Sequence, residues 1–296
     1  MNDTNAYENT IGGTLGGLAG VKDVRKLAPG LWGFVHANGA TLRGEARRVG
    51  RWLVLEAGLP KLCRGQGLDA RVAWRLAARE RELPGGCKFA LTSEVPPSVR
   101  LRAEVLLSEE VQVAQRLAEA LAGFGAAMEV ARPRKKEEEE ATAASAPATL
   151  KTDLARLCRE SGWPFHEGEG ADLRADLETA ADDGFYQAHV TEEPGRGVCA
   201  RAEVAAYDSP SEEVCHALGV LLLTANAALR LARATATEGE RTRLGFEVVL
   251  PTPPSGAELA EVLACLSVAC RHCGREAQAM DPELAKEYLA IRNLAS

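Results

Sequence analysis

Residues 99–111 read VRLRAEVLLSEEV, and residues 198–214 read VCARAEVAAYDSPSEEV. Each stretch carries Arg-Ala-Glu-Val and then Ser-Glu-Glu-Val. In the first part of each, apolar and polar residues alternate, the period of a half-buried strand. The Ser-Glu-Glu that follows is a helix start, with serine as cap and acidic groups at the positive end of the helix. A strand-then-helix unit that recurs in one chain predicts an internal duplication. A third passage, FEVVLPTPPSGAELAEVLACL (246–266), repeats the alternation without the identity.

The rest of the chain fits two such units. Before the first repeat, ATLRGEARRVGRWLVLEAGL (40–59) predicts two strands, LDARVAWRLAARERELPGG (68–86) a helix and CKFALT (87–92) a further strand. After Ser108, a helix places Val113, Leu117, Leu121 and Phe124 on one face. The second unit opens with a short helix in TLKTDLARLCRESGW (149–163). ADLRADLE (171–178), FYQAHVTE (185–192) and GVCARAEVAAY (197–207) read as strands, with a turn at Pro194-Gly195-Arg196-Gly197. A long helix is expected over 211–236, then a strand in RLGFEVVL (243–250), a last long helix, and a terminal helix restarted at Asp281-Pro282-Glu283. The expected fold class is α+β: two similar domains, each an antiparallel sheet with helices packed on one face, forming a pseudo-dimer within one chain. Strands that follow one another in hairpins exclude a doubly wound nucleotide fold. The expected divisions are a flexible leader over 1–28, a first domain over 29–130, a charged and Ala/Pro-rich linker over 131–148, and a second domain over 149–296. GGTLGG (12–17) lacks the Lys and Ser/Thr of a phosphate loop and reads as part of the leader.

Composition excludes several functions. The 296 residues carry a net charge of −7 and only 5% aromatics. Residues 1–130 hold 17 cations and 14 anions; residues 151–296 hold 14 cations and 24 anions. Neither half has the clustered Lys and Arg of a nucleic-acid footprint. No apolar run is long enough to span a membrane, and the first residues do not form a secretory signal. Eight cysteines without such a signal predict free thiols in a reducing cytoplasm.

Few residues suggest chemistry. In ACLSVACRHCG (264–274), Cys265, Cys270, His272 and Cys273 are four soft ligands within one helix. Cys270 and Cys273, however, continue the apolar stripe of Leu259, Val262, Leu263 and Leu266, so core packing is the expected role. His166 has Glu167 and Glu169 nearby, but the other histidines (36, 189, 216 and 272) are scattered. No catalytic motif is present, and no catalytic, cofactor or metal residue is assigned.

TDLARLCRESGW (152–163), ADLRADLE, CARAEVAAYDSPSEEVCHALGVLLL (199–223) and FEVVLPTPPSGAELAEVLACL together resemble the type III secretion chaperone-like fold. Bacterial proteins described as sensory transduction regulators are similar. The resemblance spans most of 149–293 and, less closely, about 30–130. It implies a non-enzymatic, cytoplasmic, chaperone-like protein that binds another protein, with self-association as a further possibility. The alternative is a small-molecule or nucleotide binder, or an enzyme, with its site in the cleft between the halves.

Overall fold

The computed structural model describes residues 3–38, 40–59, 68–84, 86–94, 97–107, 113–132, 152–167, 173–177, 186–193, 196–250, 254–292 and 294. The first half comprises α1 (Asp3–Gly17), β1 (Val21–Ala28), β2 (Leu31–Asn38), β3 (Ala40–Val49), β4 (Trp52–Gly58), α2 (Ala70–Ala78), β5 (Lys88–Leu91), β6 (Val99–Leu106) and α3 (Val113–Val130). The second comprises α4 (Leu154–Ser161), β7 (Phe165–Glu167), β8 (Leu173–Leu177), β9 (Tyr186–Glu193), β10 (Gly197–Tyr207), α5 (Glu212–Ala228), β11 (Arg233–Thr237), β12 (Thr242–Val249) and α6 (Gly256–Ala279). α7 (Pro282–Ile291) follows. Both halves therefore run helix, four strands, helix, two strands, helix.

The sheets agree as well. One is ordered β1-β2-β3-β4-β6-β5 and the other β7-β8-β9-β10-β12-β11, each antiparallel at every pairing. The architecture is α+β and duplicated. α1 and α3 pack on the first sheet, α4 and α6 on the second, while α2 and α5 cross between the halves.

The topology corrects the register of the repeat. β6 matches β12, not β10, and α3 matches α6, not α5. The matching residues are Arg100-Leu101 with Arg243-Leu244, Glu104-Val105 with Glu247-Val248, and Leu117-Ala118-Glu119 with Leu259-Ala260-Glu261. Backbone bonds agree: Leu107 N–H donates to the Arg51 carbonyl, and Leu250 N–H donates to the Val198 carbonyl. The shared Arg-Ala-Glu-Val joins two strands that hold different places. Any half-buried strand of this composition yields such a match.

Three further expectations change. Residues 3–28 are not a flexible leader: they form α1 and β1, and the first half begins at α1 rather than at residue 29. Ile11 and Leu15 are buried, and Gly12 lies where an added Cβ would sit 3.1 Å from the Trp32 indole nitrogen. Gly12 lets α1 lie close against Trp32. β1 escapes notice because only Val21 is buried and Lys22, Asp23, Arg25 and Lys26 break the alternation. It is a free edge, broken by bulges, with Asp23 at φ 52°. Bulges and charges of this kind discourage edge-to-edge pairing. Finally, the helix expected over 211–236 ends at Ala228, and Arg233–Thr237 forms strand β11. Leu231, at φ 51°, lies within the reversal, and RATAT supplies the β-branched alternation that continues it. The Ser108 cap, most of the linker over 131–148, and Pro194-Gly195 lie outside the described residues.

Helix ends obey local chemistry. Asp69, Asp153, Ser211 and Asp281 accept backbone N–H groups at the starts of α2, α4, α5 and α7. Ser255 and Glu258 form a reciprocal capping box on α6.

Candidate functional site: the seam between the halves

Where α2 meets α5, the helices touch through small residues. A Cβ built on Gly219 would lie 2.5 Å from Trp74 Cα and 2.9 Å from the Ala73 carbonyl carbon. Only glycine permits that approach. Ala73, Ala77, Ala217 and Val220 are fully buried nearby.

Below the crossing, polar groups replace packing. Asn226, at the end of α5, donates to Glu80 Oε1 (2.9 Å) and to the Phe89 carbonyl (2.9 Å). Glu80 follows α2 at the corresponding point. It accepts from Phe89 N–H at 2.9 Å, and Asn226 Oδ1 accepts from Ala234 N–H at 2.6 Å. Each therefore caps the edge strand of its own half and holds the other across the seam. Both are fully buried. Burial pushes the Glu80 carboxyl well above its usual range, and nearby Arg233 opposes this.

The edge strands carry a second reciprocal pair. Lys88 opens β5 and is fully buried. Its Nζ lies 3.1 Å from Glu104 Oε2 on β6 and donates to the Leu229 (2.7 Å) and Ala232 (3.1 Å) carbonyls of the other half. Arg233 opens β11 and is 2% exposed. It donates to Glu247 on β12 at 2.8 Å, and its Nη1 donates to the Leu83 (2.8 Å) and Cys87 (3.2 Å) carbonyls of the first half. In each case an edge-strand cation, neutralised by the equivalent glutamate of its own sheet, satisfies carbonyls of the loop entering the opposite edge strand. Buried charges persist only when paired and hydrogen-bonded, and here both conditions hold.

A third contact joins α3 to α6. Arg116 Nη2 donates to Glu258 Oε1 at 3.1 Å, and both side chains are nearly buried. Beside them is a cavity of about 70 Å³, lined by Ala103, Val105 and Ala120 from one half and Val248, Glu261 and Val262 from the other. That volume holds a few waters. A larger groove, of about 580 Å³, lies between α5, α6 and α7, with Leu221, Ala225, Ala279, Met280, Leu284 and Tyr288 along it.

The cysteines of α6 do not form a cluster. Cys270 and Cys273 are buried, Cys265 is half-buried and His272 is exposed. Burial pushes the thiols of Cys270 and Cys273 up to about 12 and about 11. Among the described residues, no group of three His, Cys, Asp or Glu could hold a metal ion. His166 pairs at 3.0 Å with Asp176, a partner not foreseen; Glu169 lies outside the described residues. Of the tryptophans, Trp32 is buried, whereas Trp52, Trp74 and Trp163 are half-buried. Sequence reasoning singled out none of Glu80, Lys88, Asn226, Arg233 and Glu247. A trace existed: Lys88 interrupts CKFALT, and Asn226 interrupts an apolar helix. No protein-family model matches the chain, and neither does any curated protein or solved structure.

Proposed function

We propose that the protein is a non-enzymatic, chaperone-like binding protein of the cytoplasm, a tandem of type III secretion chaperone-like domains that engages another polypeptide. The order helix, four strands, helix, two strands, helix, present twice, supports that kinship. The observation that carries the binding role is the groove between α5, α6 and α7, where Leu284 is 38% exposed beside His272, Arg275, Glu276 and Arg292. Apolar side chains left exposed in a groove with a polar border are one mark of an interaction site. A ligand site in the cleft between the halves fits less well, because the seam cavity of about 70 Å³ is far below the roughly 300 Å³ from which small-molecule pockets begin.

Affinity capture from the native host, read by mass spectrometry of proteins and metabolites together, tests this. The wild-type chain retains a defined protein that Leu284→Asp loses while keeping its thermal stability. Retention of a metabolite with no protein favours the cleft alternative instead.

A further inference from the structure

The ionic clusters on the two sheets are not equal, and only Lys88 with Arg233 and Glu104 with Glu247 hold matching places in them. On the first sheet, Lys88, Arg100 and Arg102 are met by Glu56, Glu94 and Glu104, so charges balance. On the second, Arg196, Arg201 and Arg233 surround Glu193 and Glu247, and the first half adds a fourth cation, Arg81. Among the described residues, four guanidiniums thus face two carboxylates. Glu80, the next carboxyl inward, is driven toward its neutral form by burial.

The excess falls on Arg81. Arg196 and Arg233 reach Glu247 at 2.6 and 2.5 Å, and Arg201 reaches it at 2.8 Å. Arg81 stands 3.6 Å from Glu247 and 3.9 Å from Glu193, and its Nη1 is 3.4 Å from the Thr237 hydroxyl. All three distances are longer than a charge-assisted hydrogen bond. Its side chain is 36% exposed and lies beside the half-buried Arg196 and Arg201. Burial and the neighbouring Arg201 both work against its charge.

We propose that Arg81, with Arg196, Arg201 and the Thr237 hydroxyl, forms an oxyanion site at the seam that takes a phosphoryl dianion. The excess of two positive charges matches a dianion, and a planar guanidinium fork matches phosphate oxygens. The same chemistry occurs in free phosphate and in a phosphate monoester. Because Arg81 comes from one half and the other groups from the second, occupation also ties the halves together.

Thermal unfolding of the full chain in sodium phosphate, against sodium chloride at matched ionic strength, tests the site. A ligand that binds only the folded state raises the melting temperature with its concentration. Wild type is expected to show saturable stabilisation with Kd of about 1 mM, roughly −4 kcal/mol of binding. Arg81→Gln weakens binding about tenfold or more, and Thr237→Val weakens it less. Arg100→Gln, on the balanced sheet, leaves it unchanged. Phenyl phosphate separates the sources: equal or greater stabilisation points to a monoester, weaker stabilisation to free phosphate. No phosphate-specific stabilisation of wild type, or an Arg81→Gln variant that responds like wild type, overturns the proposal.

Discussion

Arg116 on α3 and Glu258 on α6 occupy equivalent positions in the two halves, and they bond to each other at 3.1 Å. Residues that correspond in two copies can touch only near the axis that relates them. Glu80 and Asn226 meet in the same way, and so do Ala73 and Gly219. The partners at each point differ. Two first halves would place arginine against arginine, and two second halves glutamate against glutamate. Opposite charge on the axis therefore favours pairing of unlike halves.

The bond between Arg116 and Glu258 is therefore expected to be coupled. Arg116→Met and Glu258→Gln, alone and together, form the cycle; glutamine keeps the capping box with Ser255. Breaking one partner of a buried pair costs about 3 kcal/mol, and the double variant loses less than the sum of the two single losses. Additive losses in urea unfolding contradict this. Exposed pairs such as Arg132 and Glu129 contribute at most about 1 kcal/mol.

The seam carboxyls give stability opposite pH dependences. The arginines around Glu247, Arg233 foremost, hold its carboxyl down at about 2, against the burial that would raise it. A depressed folded pKa means stability present above about 4.5 and lost as pH falls toward 2, of order 3 kcal/mol. Glu80 is raised by burial, so its contribution is complete below about 4.5 and declines as pH rises through its folded value. Glu80→Gln should raise stability at pH 8 relative to pH 5, measured by thermal unfolding at both. An equal change at the two pH values contradicts the assignment.

At the helix crossing, Gly219→Ala forces Cβ to within 2.5 Å of Trp74 Cα. Overpacking against backbone costs about 1–3 kcal/mol or more. Gly58→Ala, where nothing lies within 4 Å, is the control and changes stability by about 0.5 kcal/mol or less. Comparable effects in the two variants speak against the close crossing.

Thiol chemistry provides a separate check. Burial pushes Cys87 above the ordinary thiol range and Cys270 up to about 12. Thiolate is the reactive form, so these two stay unreactive to a disulfide reagent in the native protein and react in denaturant. Rapid native labelling of Cys270, located by peptide mapping, contradicts its place in the core.

Much of this fold was legible because alternation survives where one sheet face is buried, as in Leu173, Ala175 and Leu177. β1 was hidden because it buries only Val21, and α1 because its glycines imitate a linker. β11 merges in sequence with the apolar end of α5. The true repeat was obscured because only scattered pairs, such as Glu104 and Glu247, remain. The seam was least legible: Lys88 and Arg233 act through carbonyls more than 140 residues away, and no local pattern encodes such a contact.

The reciprocal bonds across the seam imply that the two halves unfold as one unit. Hydrogen exchange read by mass spectrometry across a urea series measures this, following peptides from β5–β6 and β11–β12. A single shared midpoint is predicted, moving together for both peptides in Lys88→Met. Separate midpoints for the two halves would show two independent domains and contradict the welded pair.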